Sequence, residues 1–119
     1  MTNDASAYIE HILENIKDIE EFSKNLTKNE FLKDKLRQKA IIRSIEVIGE
    51  AVKNISDNIK NKHKEIEWRK ITGTRDRIIH HYFGVELDIV WEIIKKDLPN
   101  LKKQINKIKE ELDNDYWLT

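Results

Sequence analysis

The sequence predicts an all-α protein, a bundle of four to five antiparallel helices, on three observations. Charged residues make up 37% of the chain, with one Pro and three Gly, a composition that suits helices rather than a sandwich or barrel. Ile9, Ile12, Ile16 and Ile19 recur at alternating steps of three and four, which stacks them on one helical face. Two further apolar stripes, Ile41 to Ile55 and Leu98 to Leu112, keep heptad spacing, which suits packing at shallow crossing angles. At 119 residues the chain has the size of one domain, 1–119, with a single core.

Composition also excludes several classes. Lys and Arg total 22 and Asp and Glu total 22, so net charge gives no push toward nucleic acid. A local basic cleft remains compatible with that balance, since charge patches act over about one Debye length of ~8 Å. There is no Cys, hence no disulfide, thiolate metal site or Cys nucleophile. No apolar run approaches the roughly 18 residues of a membrane span, and Met1 to Asp4 is polar and carries no signal-peptide core. A cytoplasmic protein with no membrane partner is the expectation.

The first helix starts near Asp4 or Ser6, either of which can cap it, and runs to about Lys24. Residues 25–29 connect, with Thr27 or Asn29 as the next cap. One long second helix is expected from about Glu30 to Ile55, opening on an apolar face of Phe31, Leu32 and Leu36. It continues through Ile41, Ile45, Ile48, Val52 and Ile55. Gly49 inside it costs ~1 kcal/mol against Ala, which a close helix crossing would explain. Glu50 reads as a surface or cleft-edge acid. The polar stretch from Ser56 to Glu67 reads as a connection with about one helical turn, and His63 within it as exposed and idle. Trp68 and Ile71 read as anchors, and Thr72-Gly73-Thr74 as a kink or helix start.

A third helix is expected from Thr74 to Tyr82, ended by Gly84, which permits a left-handed turn. A fourth opens at Glu86 or Asp88 with Leu87, Val90, Trp91 and Ile94 on its early face. Pro99 interrupts it, with Asp97 capping a fresh start or the helix kinking there. Leu98, Leu101, Ile105, Ile108 and Leu112 follow. The aromatic tail, Tyr116 and Trp117, is placed to dock on the bundle or on a second subunit.

The third helix carries the chemistry. It holds Arg75-Asp76-Arg77-Ile78-Ile79-His80-His81-Tyr82, two of the chain's four His, between Gly73 and Gly84. On a helix Asp76 and His80 stack as neighbours four residues apart. A carboxylate there fixes the imidazole tautomer, orients the ring and favours its protonated form, the usual construction of a general acid or base. Arg75 adds a permanent charge whose donors match a phosphate. These parts suffice for metal-free RNA cleavage, His80 taking the 2′-hydroxyl proton and Arg75 stabilising charge on the phosphoryl oxygens. Arg75 and His80, five apart, point about 140° from each other on an ideal helix. They converge if the helix frays near Gly84 or if a two-fold partner completes the site. Tyr82, seven residues from Arg75, falls nearly on its face. An ordinary surface ion pair is the competing reading of Asp76 and His80, and Arg77 and His81 read as solvated neighbours.

The arrangement of Arg75, four residues, His80, one residue and Tyr82 resembles the signature of the HEPN ribonucleases, most closely the HepT-like toxins. Further likeness lies in Ile45-Glu46-Val47-Ile48-Gly49-Glu50-Ala51-Val52-Lys53, in Trp68 to Asp76, in Ile79 to Leu87, and in Val90-Trp91 and Asp97-Leu98-Pro99. The chain departs from the family pattern at His81, where a small or polar residue is usual, and in lacking a Pro shortly before Trp68.

The resemblance implies a HEPN-type bundle that dimerises to form a cleft, with Arg75 and His80 as the ribonuclease pair and Asp76 as the polar residue after the Arg. It implies an endoribonuclease toxin of a type VII-like pair that needs no metal or cofactor. Its partners would be an RNA substrate, a second copy of the chain, and a minimal nucleotidyltransferase antitoxin that adenylylates Tyr82. Nucleotides on that hydroxyl would add bulk and negative charge inside a phosphate cleft. The alternatives are a helical module that binds a nucleotide or antitoxin without catalysis, and a purely structural dimer.

Overall fold

A computed structural model describes residues 4–80 and 84–118, with side chains described for residues 5–79 and 84–114. The fold is all-α, carried by three long helices: α1 (Asp4–Ser23), α3 (Lys35–Lys53) and α8 (Leu98–Leu118). Ile9, Ile12, Ile16 and Ile19 of α1 are each at most 1% exposed, as are Ile105 and Ile108 of α8. Burial of each such side chain stabilises by ~1.5–3 kcal/mol. Two ion pairs, Glu10 with Lys109 at 2.7 Å and Glu20 with Lys102 at 2.9 Å, run along the seam of α1 and α8. Their order, rising in one helix and falling in the other, makes the two antiparallel.

After α1 the chain turns at Asn25, φ 58°, a left-handed conformation that Asn tolerates. Thr27 then caps α2 (Lys28–Lys33) with a reciprocal pair of bonds: Glu30 N–H donates to Thr27 Oγ1 at 3.1 Å and Thr27 N–H to Glu30 Oε1 at 2.9 Å. The single second helix expected from Glu30 to Ile55 is two helices, α2 and α3, because Asp34 stops one and starts the other. Its N–H donates to Phe31 O, while its side chain accepts from Arg37 N–H at 3.0 Å and Arg37 Nη1 at 2.7 Å. A short carboxylate competes well for backbone donors, and here it does so in mid-stripe. The bend sends Phe31 inward onto Trp91, ring centroids 5.4 Å apart, and leaves Leu36 80% exposed. The expected inward face of Phe31, Leu32 and Leu36 therefore reduces to Phe31. Ile41, Ile45, Ile48, Val52 and Ile55 are all buried.

The polar connection holds one short helix, α4 (Asp57–Lys62), capped by Ser56. His63, expected to be exposed, is instead buried, at 7% exposure. The chain doubles back there to bury Ile66, and Glu111 of α8 meets the ring, its Oε2 2.8 Å from Nε2. Trp68 Nε1 donates to His63 O at 3.0 Å, anchoring α5 (Trp68–Thr72). Gly73 joins α5 to α6 (Thr74–Ile78).

The third helix does not reach Tyr82. It stops at Ile78, and Ile79 is extended at φ −110°, ψ 118°. β1 (Ile79–His80) pairs antiparallel with β2 (Gly84–Val85), Ile79 opposite Val85 and His80 opposite Gly84. Gly84, at φ 79°, supplies the left-handed turn, but at the return of a ribbon rather than the end of a helix. Glu86 N–H closes the return onto Ile78 O at 2.7 Å. Ile79, where the chain turns extended, is β-branched, a residue type that favours strand.

α7 (Leu87–Glu92) continues through a π-helical turn, Ile93–Asp97, into α8, so of the two alternatives at Pro99 the fresh start is not taken and the helix runs on through an irregular turn. Leu98 N–H reaches back five residues to Ile93 O. The wider turn makes room just where the ring of Pro99 would crowd the carbonyl four residues before it. Among the described residues no helix is long and apolar enough to cross a membrane.

Candidate functional site

α3 supplies one wall of a groove of about 460 Å³, and the α5–α6 pair supplies the other. The rigid side presents Arg43, Glu46, Glu50 and Lys53, spaced three, four and three residues apart and so along one helical face. The facing side presents Thr72, Arg75 and Asp76, with Ile45, Gly49 and Ile71 as the floor. α3 and α5 do pass each other at Gly49, but a Cβ there would sit 3.5 Å from Ile71 O, an ordinary contact that Ala would tolerate, so the crossing does not require the glycine.

Six ionisable side chains line this groove. Arg43, Lys53 and Arg75 oppose Glu46, Glu50 and Asp76, so formal charge cancels, as in the whole chain. The pairing is uneven. Lys53 Nζ lies 3.4 Å from Glu50 Oε1 along the same helix. Arg75, 61% exposed at its side chain, crosses the groove, and its Nε donates to Glu46 Oε2 at 3.1 Å. Nε is one of the guanidinium's five donors, and the forked end that matches a phosphate is a different part of the group.

Of the predicted site residues, Arg75 and Asp76 line the same groove. His80 is described by its backbone, in β1, immediately beyond the end of α6. Tyr82, with His81, lies outside the described residues. The helical register that stacked His80 on Asp76, and set Arg75 and His80 about 140° apart, ends at Ile78 and does not apply. Arg77 is turned away from the groove: its Nη1 lies 3.9 Å from Asp97 Oδ2, beside Lys70 at 4.0 Å from the same oxygen. These residues border a separate cavity of about 90 Å³ behind α6.

Glu46 is the site residue that sequence reasoning missed. It stood inside the family-like run of α3 with no role given to it. The available signal was the polar stripe Arg43, Glu46, Glu50, Lys53, which reads by default as a solvated helix face.

Comparison with known proteins gives a consistent picture. The family described as Ribonuclease HepT-like matches residues 12–108. The chain is 46% identical over 112 residues to a Methanocaldococcus jannaschii protein named "Putative RNase MJ0127", covering 94% of this chain and 93% of that one. It is 45% identical over 103 residues to the "Probable ribonuclease HepT" of Thermococcus cleftensis, covering 87% and 94%. A longer M. jannaschii protein, "Gamma-glutamylcyclotransferase and putative RNase MJ0434", is 47% identical over 113 residues, covering 95% of this chain and 51% of the relative. No solved structure matches the chain.

Proposed function

Because the chain belongs to the HepT-like ribonuclease family, we propose that it is an endoribonuclease that cuts RNA at the groove between α3 and α6. The observation that carries this reading is Arg75, solvent-facing on the groove wall with its Nε already held by Glu46. A phosphodiester seated there would meet the forked end of a guanidinium.

In the reaction, His80 takes the proton of the 2′-hydroxyl and the 2′-oxygen attacks phosphorus. The bond from phosphorus to the 5′-oxygen breaks, and that oxygen leaves with the electron pair and receives a proton. The products are a 2′,3′-cyclic phosphate and a 5′-hydroxyl. Arg75 stabilises the charge that builds on the non-bridging oxygens, and Asp76 supports the site as the adjacent polar group. Arg and His supply the charge and the proton transfer, so the reaction runs without a metal. Two copies of the chain pair about a two-fold axis, bring both Arg75 and both His80 to one cleft, and let one His act as base and the other as acid.

The biological setting is a toxin held in check by a small nucleotidyltransferase. Adenylate on the Tyr82 hydroxyl would add bulk and negative charge, and so repel a phosphodiester.

The test is cleavage of a labelled RNA in EDTA by the wild type, Arg75→Ala and His80→Ala. Wild type is expected to leave cyclic-phosphate or 3′-phosphate ends. Each variant should lose roughly 10²-fold or more in rate, as for removal of a general base or an oxyanion donor. Equal cleavage by wild type and His80→Ala would mean that the nuclease is a contaminant. Nucleotide binding without turnover would favour the non-catalytic module. For the regulatory half, the intact mass of chain co-expressed with a cognate nucleotidyltransferase should rise by adenylate units that map to Tyr82. A silenced chain of unmodified mass would remove that half.

A further inference from the structure

We propose that Glu46 is a positioning residue for Arg75, an inference that rests on the ribonuclease reading and adds to it. α6 is five residues long, far below the length at which a helix is stable by itself. It cannot alone set the direction of a long side chain that is 61% exposed. α3 is its opposite, a 19-residue helix with Ile41, Ile45, Ile48 and Val52 buried in the core. Glu46 sits on that helix with its side chain only 26% exposed, so its carboxylate is a fixed point in the groove wall. It accepts a hydrogen bond at 3.1 Å from Nε of Arg75, twenty-nine residues away in sequence.

The choice of Nε matters. A guanidinium gripped at its forked end would keep only the side edge of Nε and one Nη for substrate. Gripped at Nε, it keeps both Nη groups, and with them four of its five donors. The bond therefore removes rotamer freedom from Arg75 without using the atoms that would meet a phosphate. Its cost is electrostatic, because a carboxylate beside the guanidinium weakens the pull on an anionic substrate. Orientation and charge thus act on different kinetic constants. Orientation of the phosphoryl donors is expressed in the transition state and so in kcat. The extra negative charge acts on the ground-state complex and so in KM.

Glu46→Ala, Glu46→Gln and Glu46→Asp, measured beside Arg75→Ala on one labelled RNA, separate these effects. Glu46→Ala should lower kcat by roughly 10- to 100-fold, the range for misplacing a reacting group by about 1 Å. Glu46→Gln keeps an acceptor oxygen and removes the charge, so kcat should return to within a few-fold of wild type while KM falls. Glu46→Asp, shorter by one methylene, should lie between. If Arg75→Ala is inactive and Glu46→Ala keeps wild-type kcat, Glu46 is a structural pair only and the inference is lost, while the ribonuclease reading stands. If Glu46→Ala is faster than wild type, Glu46 is an inhibitory latch and the inference is equally lost. If Arg75→Ala cleaves as wild type, the ribonuclease reading itself falls and takes Glu46 with it. Thermal melts of each variant identify a folding defect, and in that case the Gln variant decides.

Discussion

His63 illustrates how little a single side chain reveals of its surroundings before the fold is known. In a run of Asn, Lys and Glu it looks solvated, yet it is buried. Its Nε2 meets Glu111 at 2.8 Å, Nδ1 lies 3.5 Å from Glu65, and its carbonyl receives the Trp68 indole. One ring thereby ties the α4–α5 connection to α8. His63→Ala should destabilise by about 1–3 kcal/mol, through lost packing and the lost contact of the ring with Glu111. Glu111 is half exposed and can return to water, which favours the lower part of that range. Urea denaturation checks this, and an unchanged midpoint would show the contact to be incidental. Arg75 teaches the complementary point, since its charge and reach were legible but its partner Glu46, on another helix, was not.

Individual helices are set by their ends as much as by their faces. Glu30 is held below the ordinary carboxylate range chiefly by the Thr27 backbone N–H, and Asp34 chiefly by the Arg37 backbone N–H. Both groups have folded-state values depressed below their unfolded ones. Their contribution is therefore fully present above the unfolded values, and it is lost as pH falls through the folded ones. Melting temperature should decline on acidification below about pH 4. The decline should be shallower in a Glu30→Gln, Asp34→Asn double variant, whose caps no longer titrate. Parallel curves for the two proteins would show that these caps carry none of the acid sensitivity. The same Asp34 divides α2 from α3. An unbroken stripe from Phe31 to Ile55 concealed it, because apolar periodicity reports faces and not caps.

At the scale of the molecule, the chain is elongated, 51 × 29 × 23 Å with a radius of gyration of 15.2 Å, against about 13.5 Å for a compact domain of this length. The groove flanks this long body, lying on α3 opposite two five-residue helices. A cleft completed by a second copy would cover that flank. Light scattering at micromolar concentration should then give twice the 14.2 kDa chain mass, and small-angle scattering a radius of gyration well above 15 Å. A monomer by both measurements would remove the two-fold site, leaving Arg75 and His80 of one chain to act together or not at all.

All-α class, the three buried stripes and the segment bearing Arg75 and Asp76 were readable from residue order, because helical periodicity and charge pattern are local properties of the chain. The end of α6 at Ile78, the burial of His63 and the bond from Arg75 to Glu46 were not. Each depends on which groups from distant parts of the chain compete for the same backbone donor, the same buried volume or the same carboxylate. Such competition has an outcome only once the helices have packed.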